Sequence, residues 1–263
     1  RLCTFSKSAL ENYGAASGAE ATGSPGGMLR RTRRCRNSAT RSYNAAVSVT
    51  LGSASLASRL AGHRVGLVAN PASVDRDFRH VTDLVASLSG VTLAALFGPQ
   101  HGFRSDLQDN MVETDHARHD ALGVPIYSLY GDTREPDGAM LAALDLLVID
   151  LQDVGTRVYT YVHTMTNCLR ACARHGVPVL VCDRPNPVGG LTVEGPMLAP
   201  GFESFVGLFP IPLRHGLTIG EMARLCNDGF GLGASLEVLP LHGWHRQMYH
   251  DDTGSPWLMP SAN

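Results

Sequence analysis

Lysine is almost missing from this chain. Lys7 is the only one, and arginine supplies every other permanently cationic side chain. The formal net charge is -2 and the pI is about 6.6, whereas a protein built around nucleic-acid binding carries a strongly basic surface. The charge balance therefore argues against nucleic acid as a partner.

Long apolar runs are missing as well. The run LDLLVIDL at 144–151 is among the longest, and a membrane-spanning helix needs about 20 apolar residues. Neither GxGxxG nor GxxxxGK followed by Ser or Thr occurs, so nucleotide binding lacks its usual sequence support. We expect no membrane span and no cofactor.

No CxxC pair occurs among the six cysteines, which weakens a metal or disulfide interpretation. Cys168 and Cys172 are one helical turn apart, a spacing typical of buried thiols on one helix face. His116 and His119 could ligate a metal, but no third ligand accompanies them at a recognisable spacing. We therefore predict no metal site.

Residues 1–45 differ from the rest of the chain. They are rich in small, polar and arginine residues and lack apolar periodicity. This composition predicts a disordered leader or an artefact of the gene boundary, with an organelle presequence or a basic RNA-binding arm as alternatives. Because the chain lacks an initiator Met and stops at PWLMPSAN, we interpret it as a fragment at both ends. Secreted, periplasmic and cytoplasmic locations stay open, as does the oligomeric state.

Short apolar runs alternate with helical stretches from about residue 50. Strands are predicted at 64–70, 91–98, 124–131, 144–152 and 177–185, and helices at 75–89 and 159–176. Continuous apolar runs are typical of strands that are covered on both faces, as in a parallel sheet. The predicted fold is α/β, with a Rossmann-like, doubly wound, mostly parallel sheet over residues 50–190.

Glycine and proline become frequent after Pro185, where the pattern changes. Residues 191–263 are predicted to form a linker and the start of a smaller C-terminal domain that the chain truncates. Within this part Thr218 and Glu221 predict a capping box, and SLEVLPLHGW predicts one more strand. Gly176 predicts the C-terminal end of the preceding helix.

Polar side chains follow the ends of the predicted strands. Ligands of open α/β sheets bind outside the carboxyl ends of the strands, so these side chains predict a pocket for a polar, uncharged or acidic small molecule. The residues concerned are Asn70, Gln100, His101, Gln152, Asp153, Arg157, Tyr159, Arg184 and Asn186, with Arg214 and His215 ahead of a later helix.

Structural roles compete with binding at some of these positions. Asp150 or Asp153 could pair with Arg157 and hold a loop. Asp183 and Arg184 could likewise form an ion pair instead of contacting a ligand.

Eight motifs occur in one order along the chain: FGPQHGF, YSLYG, DLQDVGTRVYTY, DRPNPVGG, VEGPML, SFVG, PIPLRHGLTIGE and PWLMPSAN. With them the chain resembles the exo-β-N-acetylmuramidase family, from about Gly62 to its C-terminus. The resemblance implies a glycoside hydrolase that removes N-acetylmuramic acid from the non-reducing end of peptidoglycan fragments. It also implies a Rossmann-like domain joined to a smaller C-terminal domain, an active site in the cleft between them, and no metal.

The same resemblance implies how the substrate is recognised. The lactyl carboxylate distinguishes muramic acid from glucosamine, and a planar guanidinium grips a carboxylate with two hydrogen bonds. Arg157, Arg184 and Arg214 are the arginines that would suit this group.

Two positions depart from the family pattern. Many members carry Glu in a Gly-Pro-Glu-His-Gly motif, whereas this chain has Gln100, whose amide cannot act as a general acid. The closing motif reads PSAN where the family usually has Pro-Ser-Pro-Asn.

Three hypotheses address the missing carboxyl group at Gln100. Glu113 or Asp109, a short loop later, supplies the acid; or another carboxylate pair acts, with Asp153 or Glu194 among the candidates. In the third account the protein binds a saccharide such as muramic acid without cleaving it, because it has lost its general acid.

We favour the first account, with Glu113 as acid/base, Asp153 as its partner, and His101 orienting a carboxyl or a sugar hydroxyl. A metal hydrolase that uses His101, His116 and His119 is a further alternative. The predicted substrate-binding residues are Asn70, Gln100, Gln152, Arg157, Tyr159, Arg184, Asn186, Arg214 and His215.

Overall fold

The structure is a computed structural model that describes residues 54–104 and 113–261. All of these residues belong to one compact unit. The predicted leader at residues 1–45, and with it Cys3 and Cys35, lies outside the described residues, as does Asp109. Within the described ranges no helix is long and apolar enough to cross a membrane.

The described strands form one large sheet and one small ribbon. Their bounds are β1 Arg64–Ala69, β2 Thr92–Gly98, β3 Ala117–Arg118, β4 Pro125–Ser128, β5 Leu146–Asp150, β6 Val179–Cys182, β7 Glu194–Met197, β8 Pro212–Arg214 and β9 Leu236–Leu239. The large sheet has the order β3-β4-β2-β1-β5-β6-β9, and β7 pairs with β8. In the large sheet only the short edge strand β3 runs antiparallel to its neighbour.

Helices cover the sheet on both faces. They are α1 Ala54–Leu60, α2 Val81–Ala86, α3 Gly138–Leu141, α4 Tyr161–His175 and α5 Ile219–Arg224, which continues as a π-helical turn over Leu225–Gly229. A 3-10 turn follows at His250–Asp252. One apolar core contains residues of α1 and α2, and the second contains residues of α3, α4 and α5. In β1, Leu67 belongs to the first core and Val68 to the second, so the predicted doubly wound α/β fold is confirmed.

Residues at the helix ends determine where the helices begin and end. Gly176 has a left-handed φ of 68° and its N–H bonds the carbonyl of Cys172, as predicted for a C-cap. The capping box of Thr218 and Glu221 is present at the start of α5. Helix α2 is shorter than the predicted 75–89 because the Asp75 carboxylate accepts the N–H groups of residues 77 and 79, which closes a loop ahead of the helix.

The sheet extends beyond the predicted boundary at residue 190. Strand β9 pairs in parallel with β6, and α5 packs against both strands. The glycine- and proline-rich segment that we interpreted as a linker contains β7, which forms the small ribbon with β8. Residues 219–239 therefore add a helix and a strand to the sheet instead of beginning a separate unit.

The four cysteines within the described residues are buried free thiols, as the sequence analysis predicted for Cys168 and Cys172. Burial raises the pKa of Cys172 to about 12 and that of Cys226 to about 11. Thiols that stay protonated in this way pack as small apolar groups.

A buried ion pair joins three strand ends. Arg184, just after β6, donates two hydrogen bonds to the carboxylate of Asp150 at the end of β5, one of them at 2.9 Å. Its guanidinium also donates to the carbonyl of Val74, in the loop after β1, at 3.3 Å. The side chains are 5% and 0% exposed, so water screens the pair very little.

Asp183 anchors α5 to the end of β6. Its carboxylate accepts the Gly220 N–H at 2.8 Å and the Thr218 hydroxyl at 3.1 Å. A Cβ at Gly220 would lie 2.7 Å from the Asp183 carboxyl carbon, so the close approach requires glycine. Burial raises the pKa of Asp183 to about 6, although both hydrogen bonds act in the opposite direction.

We expect Arg184→Met to lower the free energy of unfolding by about 3–5 kcal/mol, because it leaves the Asp150 carboxylate buried and unpaired. Equilibrium unfolding in urea measures this loss. The Asp150→Asn/Arg184→Met double variant buries no unpaired charge and should lose less than the sum of the two single variants. A loss under about 1 kcal/mol for Arg184→Met would contradict the assigned role.

Asp183→Asn tests the buried carboxyl through pH. The folded pKa of about 6 lies above the ordinary 3.8, so the stabilisation from the bound proton is present below pH 3.8 and is lost as the pH rises through 6. Relative to the variant, the wild type should therefore lose about 2 kcal/mol of unfolding free energy between about pH 4 and pH 7. Parallel stability curves for the two proteins would overturn this assignment.

Candidate active site

The carboxyl ends of β1 and β5 mark the point where the winding of the sheet reverses. From β1 the chain proceeds to β2 and β4 on one side, and later to β5, β6 and β9 on the other. Ala69 pairs with Asp150, so the two strands end level with each other. Ligands of doubly wound sheets bind in the crevice at such a switch point.

The side-chain amides of Asn70 and Gln152 join the chain segments that follow these strands. Asn70 donates from its side chain to the carbonyl of Gln152 at 3.1 Å, which joins the loops after β1 and β5. Gln152 donates to the carbonyls of Asp153 and Pro185 at 2.7 and 3.1 Å. Both predicted substrate-binding residues are buried, and their amide groups shape the crevice.

The turn after β2 holds Gln100 and His101. Gly102 N–H bonds the Pro99 carbonyl at 3.0 Å, and His101 has a left-handed φ of 71°, which is uncommon for a residue other than glycine. The Gln100 carbonyl oxygen accepts the Thr160 hydroxyl at 2.7 Å. Both side chains are buried at the strand end, where the sequence analysis predicted a site.

Three consecutive residues ahead of and within α4 fix two distant segments. Thr160 binds Gln100, Tyr159 donates from its hydroxyl to Ser261 at 2.6 Å, and Tyr161 donates to the carbonyl of Pro260. Pro260 and Ser261 are thereby held beside the turn after β2. Sequence reasoning missed Thr160 and Ser261 as partners, because the bonded residues are 60 and 102 positions apart.

Asp153 is a buried carboxylate that faces several polar side chains. Its Oδ2 accepts the Gly155 N–H at 2.8 Å and lies 3.3 Å from His215 Nε2. Both Oδ1 of Asp153 and Nε2 of His215 are buried and have no hydrogen-bond partner among the described residues. Burial raises the pKa of Tyr159, and the charge of Asp153 adds to this effect. Burial lowers the pKa of His163, whereas the negative charge of Asp153 acts to raise it. The pairing of Asp153 with Arg157 that the sequence analysis considered is not found among the described residues; Asp153 contacts His215 instead.

The three arginines expected to bind the lactyl carboxylate all contact acceptors within the protein. Arg184 pairs with Asp150, and the alternative pairing with Asp183 is absent because that carboxylate binds the start of α5. Arg157 donates to the carbonyls of Pro196 and Ile211. Arg214 pairs with Glu194 at 2.9 Å and donates to the carbonyl of Val188. A role for these arginines in carboxylate recognition stays a prediction.

Asn186 and His215 bind the same loop residue. Asn186 donates from its side chain to the Leu217 carbonyl at 3.0 Å, and His215 Nδ1 accepts the Leu217 N–H at 3.1 Å. These bonds tie the loop after β6 to the loop after β8. The structure thus connects Asn70, Gln152, Asp153, Asn186 and His215 through short contacts between the chain segments that follow β1, β5, β6 and β8.

Glu113 lies apart from this network. Its side chain is 59% exposed and sits 3.3 Å from the Arg134 guanidinium. The neighbouring Thr114 donates its N–H to the Tyr130 carbonyl at 2.8 Å, which places Glu113 near the carboxyl end of β4. The predicted acid and Asp153 therefore extend from different strand ends.

The histidines of the metal alternative bind backbone groups. Nδ1 of His116 accepts the Ser128 N–H at 3.0 Å, and Nδ1 of His119 accepts the Leu122 N–H at 3.3 Å. In the part of the chain that the structure describes, no group of three His, Cys, Asp or Glu side chains could hold a metal ion.

Solved structures resemble this fold. A DUF1343 family protein from Bacteroides fragilis NCTC 9343 matches with a TM-score of 0.72 and 40% identity, over 78% of this chain and 52% of that one. A second DUF1343 family protein from the same strain matches with a TM-score of 0.65 and 30% identity, over 78% of this chain and 54% of that one.

Sequence comparison gives a consistent result. Peptidoglycan beta-N-acetylmuramidase NamZ of Bacillus subtilis (strain 168) is 47% identical over 205 residues, which cover 78% of this chain and 49% of that relative. The chain thus spans about half the length of the proteins it matches. Residues 65–263 match the family described as Exo-beta-N-acetylmuramidase NamZ, N-terminal. The chain belongs to this family.

Proposed function

We propose that the protein is an exo-acting β-N-acetylmuramidase, a glycoside hydrolase that releases N-acetylmuramic acid from the non-reducing end of peptidoglycan fragments. Family membership and the 47% identity to a peptidoglycan beta-N-acetylmuramidase support this reaction. The observation that carries the proposal is Asp153, a buried carboxylate at the switch point of the sheet, one oxygen of which has no hydrogen-bond partner among the described residues.

Glycoside hydrolysis commonly uses two carboxyl groups, one on each side of the scissile bond. We assign Asp153 to one role and Glu113 to acid/base chemistry, as the sequence analysis predicted. Glu113 is held at the end of β4 and is open to solvent, so a sugar oxygen can approach its carboxyl group.

Gln100 and His101 belong to substrate binding and orientation in this proposal. The amide of Gln100 cannot supply a proton, but its carbonyl oxygen is fixed by the hydroxyl of Thr160. The left-handed backbone of His101 is the kind of strain that the surrounding structure must hold in place, and such strain is frequent at functional sites.

The alternative is a saccharide-binding protein that does not cleave its ligand. Gln100 is the observation that favours it, since many family members carry a carboxyl at this position. The two functions differ in one measurable respect: both bind muramic acid, and only the hydrolase releases it from a longer fragment.

Glu113→Gln should reduce the release of N-acetylmuramic acid from a chromogenic muramide by roughly 100-fold or more, because general acid/base catalysis contributes about 10²–10⁴-fold. The thermal unfolding midpoint should not change, since the side chain is largely exposed. Asp115→Asn, at another exposed carboxylate nearby, is the matched control. Unchanged turnover in Glu113→Gln would contradict the assignment of Glu113 as the acid/base.

Gln100→Glu separates the hydrolase from the binding protein. The Thr160 hydroxyl can donate to a carboxylate as it does to the amide, so we expect the variant to fold. If Glu113 supplies the acid, full-length wild type is active and Gln100→Glu changes the rate of sugar release by less than about 10-fold. An inactive wild type together with an active variant would establish the binding protein instead.

A further inference from the structure

Arg134 lies against two aromatic rings, a few residues after the end of β4. Its guanidinium carbon is 3.8 Å from the centroid of the Tyr130 ring and 5.4 Å from that of the Phe205 ring. Tyr130 belongs to the motif YSLYG and Phe205 to the motif SFVG, neither of which has a role in the chemistry described so far. Stacking on aromatic faces attracts a guanidinium and holds it in one plane.

Hydrogen bonds fix the rest of this residue. Nη1 of Arg134 donates to the carbonyl of Gly131 at 3.1 Å, and the Arg134 carbonyl accepts the side-chain amide of Asn167, on α4, at 3.0 Å. The backbone and the guanidinium of Arg134 are therefore both held before a ligand arrives. A pre-organised group of this kind loses little conformational entropy when a ligand binds it.

The contact with Glu113 leaves the Arg134 guanidinium accessible to a ligand. One oxygen of Glu113 lies 3.3 Å from Nη2, and the Arg134 side chain is 34% exposed. A guanidinium has five N–H groups; one bonds Gly131 and one faces Glu113, while the others have no partner among the described residues. Exposed pairs with a single bond add little to stability, so a carboxylate that forms two bonds can replace Glu113.

The three arginines predicted for the lactyl carboxylate differ from Arg134 in this respect. Arg184 is 5% exposed and donates two hydrogen bonds to Asp150. Arg157 and Arg214 donate to backbone carbonyls, and the Nε of each is buried. Arg134 combines a fixed orientation with accessible N–H groups.

The segment that carries Phe205 extends from Arg134 towards Asp153. Both Asp153 and the next residue after Phe205, Val206, lie close enough to His163 to affect its pKa. Burial lowers the pKa of His163, whereas the charge of Asp153 and the backbone of Val206 act to raise it. His163 therefore borders both the Phe205 segment and the candidate catalytic carboxylate.

We propose that Arg134 binds the lactyl carboxylate of N-acetylmuramic acid and determines the preference for this sugar, an inference that rests on the substrate named in the proposed function. The lactyl ether and the glycosidic bond belong to one sugar ring, so the groups that recognise them must lie close together, as Arg134 and Glu113 do. A ligand carboxylate that binds the guanidinium releases the Glu113 carboxyl group, which can then face the glycosidic oxygen.

Two substitutions and a control separate charge from geometry. Arg134→Met keeps an apolar side chain against the rings and removes the cation, whereas Arg134→Lys keeps the charge without the planar fork that forms two parallel bonds. Arg64→Met is the matched control. It removes another exposed arginine from its pair with Asp145, at the amino end of β1 and away from the strand ends that form the site.

The first experiment measures binding of free N-acetylmuramic acid and of N-acetylglucosamine, which lacks the lactyl carboxylate, to the full-length protein by calorimetry. Wild type and Arg64→Met should prefer N-acetylmuramic acid. We expect Arg134→Met to weaken that binding roughly 10–100-fold and to change binding of N-acetylglucosamine by less than about 3-fold, with Arg134→Lys in between. No preference in wild type, or equal effects of Arg134→Met on both sugars, would overturn the inference.

The second experiment compares kcat/KM for a chromogenic muramide and the corresponding glucosaminide. Arg134→Met should lower the ratio of the two values by a factor similar to the loss in binding, whereas a residue that acts only through Glu113 or the fold would lower both values equally and overturn the inference. Sugar binding that depends on Arg134 without release of any sugar would refute the proposed hydrolase and leave the inference standing. A wild type that neither binds nor cleaves would refute both.

Discussion

The ion pair between Asp150 and Arg184 is the constraint on which the crevice depends. It links the ends of β5 and β6 and, through the carbonyl of Val74, the loop after β1. These three strand ends lie on both sides of the switch point of the sheet. Asp153 follows Asp150 along the chain, and Asn186 follows Arg184. The ion pair therefore fixes the start of the two segments that carry Asp153 and Asn186. Removing two charges from water is costly, and the two-bond geometry is what offsets that cost here.

Most polar groups around the crevice serve to hold it in shape. Asn70 and Gln152 bind backbone carbonyls across strand ends, and the guanidinium groups of Arg157 and Arg214 bind backbone carbonyls of neighbouring loops. A concentration of polar residues at strand ends therefore indicates a site without identifying the groups that act on a ligand. Asp153 is the carboxylate of this network in which one oxygen accepts a backbone N–H and the other is buried without a hydrogen-bond partner among the described residues; nitrogens of Arg157, Arg214 and His215 lack such partners as well. Pre-organisation of this kind is what a catalytic carboxylate requires.

The sequence predicts those parts of the molecule that depend on neighbours along the chain. Buried parallel strands have continuous apolar runs, and the ends of α4 and α5 follow from Gly176 and from the capping box at Thr218. The pairing of Asp150 with Arg184 joins residues 34 positions apart, and that of Tyr159 with Ser261 joins residues 102 apart. Local spacing contains no information about such partners. For the same reason the sequence located the polar rim, but it did not reveal that Arg184 is committed to Asp150, or that β9 completes the sheet.

We propose that the strand ends around Asp153 cleave a terminal muramic-acid linkage. The most direct test of this proposal is to incubate the full-length protein with a defined muropeptide chain and to identify the products by mass spectrometry over time. We expect free N-acetylmuramic acid to appear from the non-reducing end while the remaining fragment shortens by one sugar. Saturable binding of the same fragment with no released sugar would contradict it, as would cleavage at internal linkages.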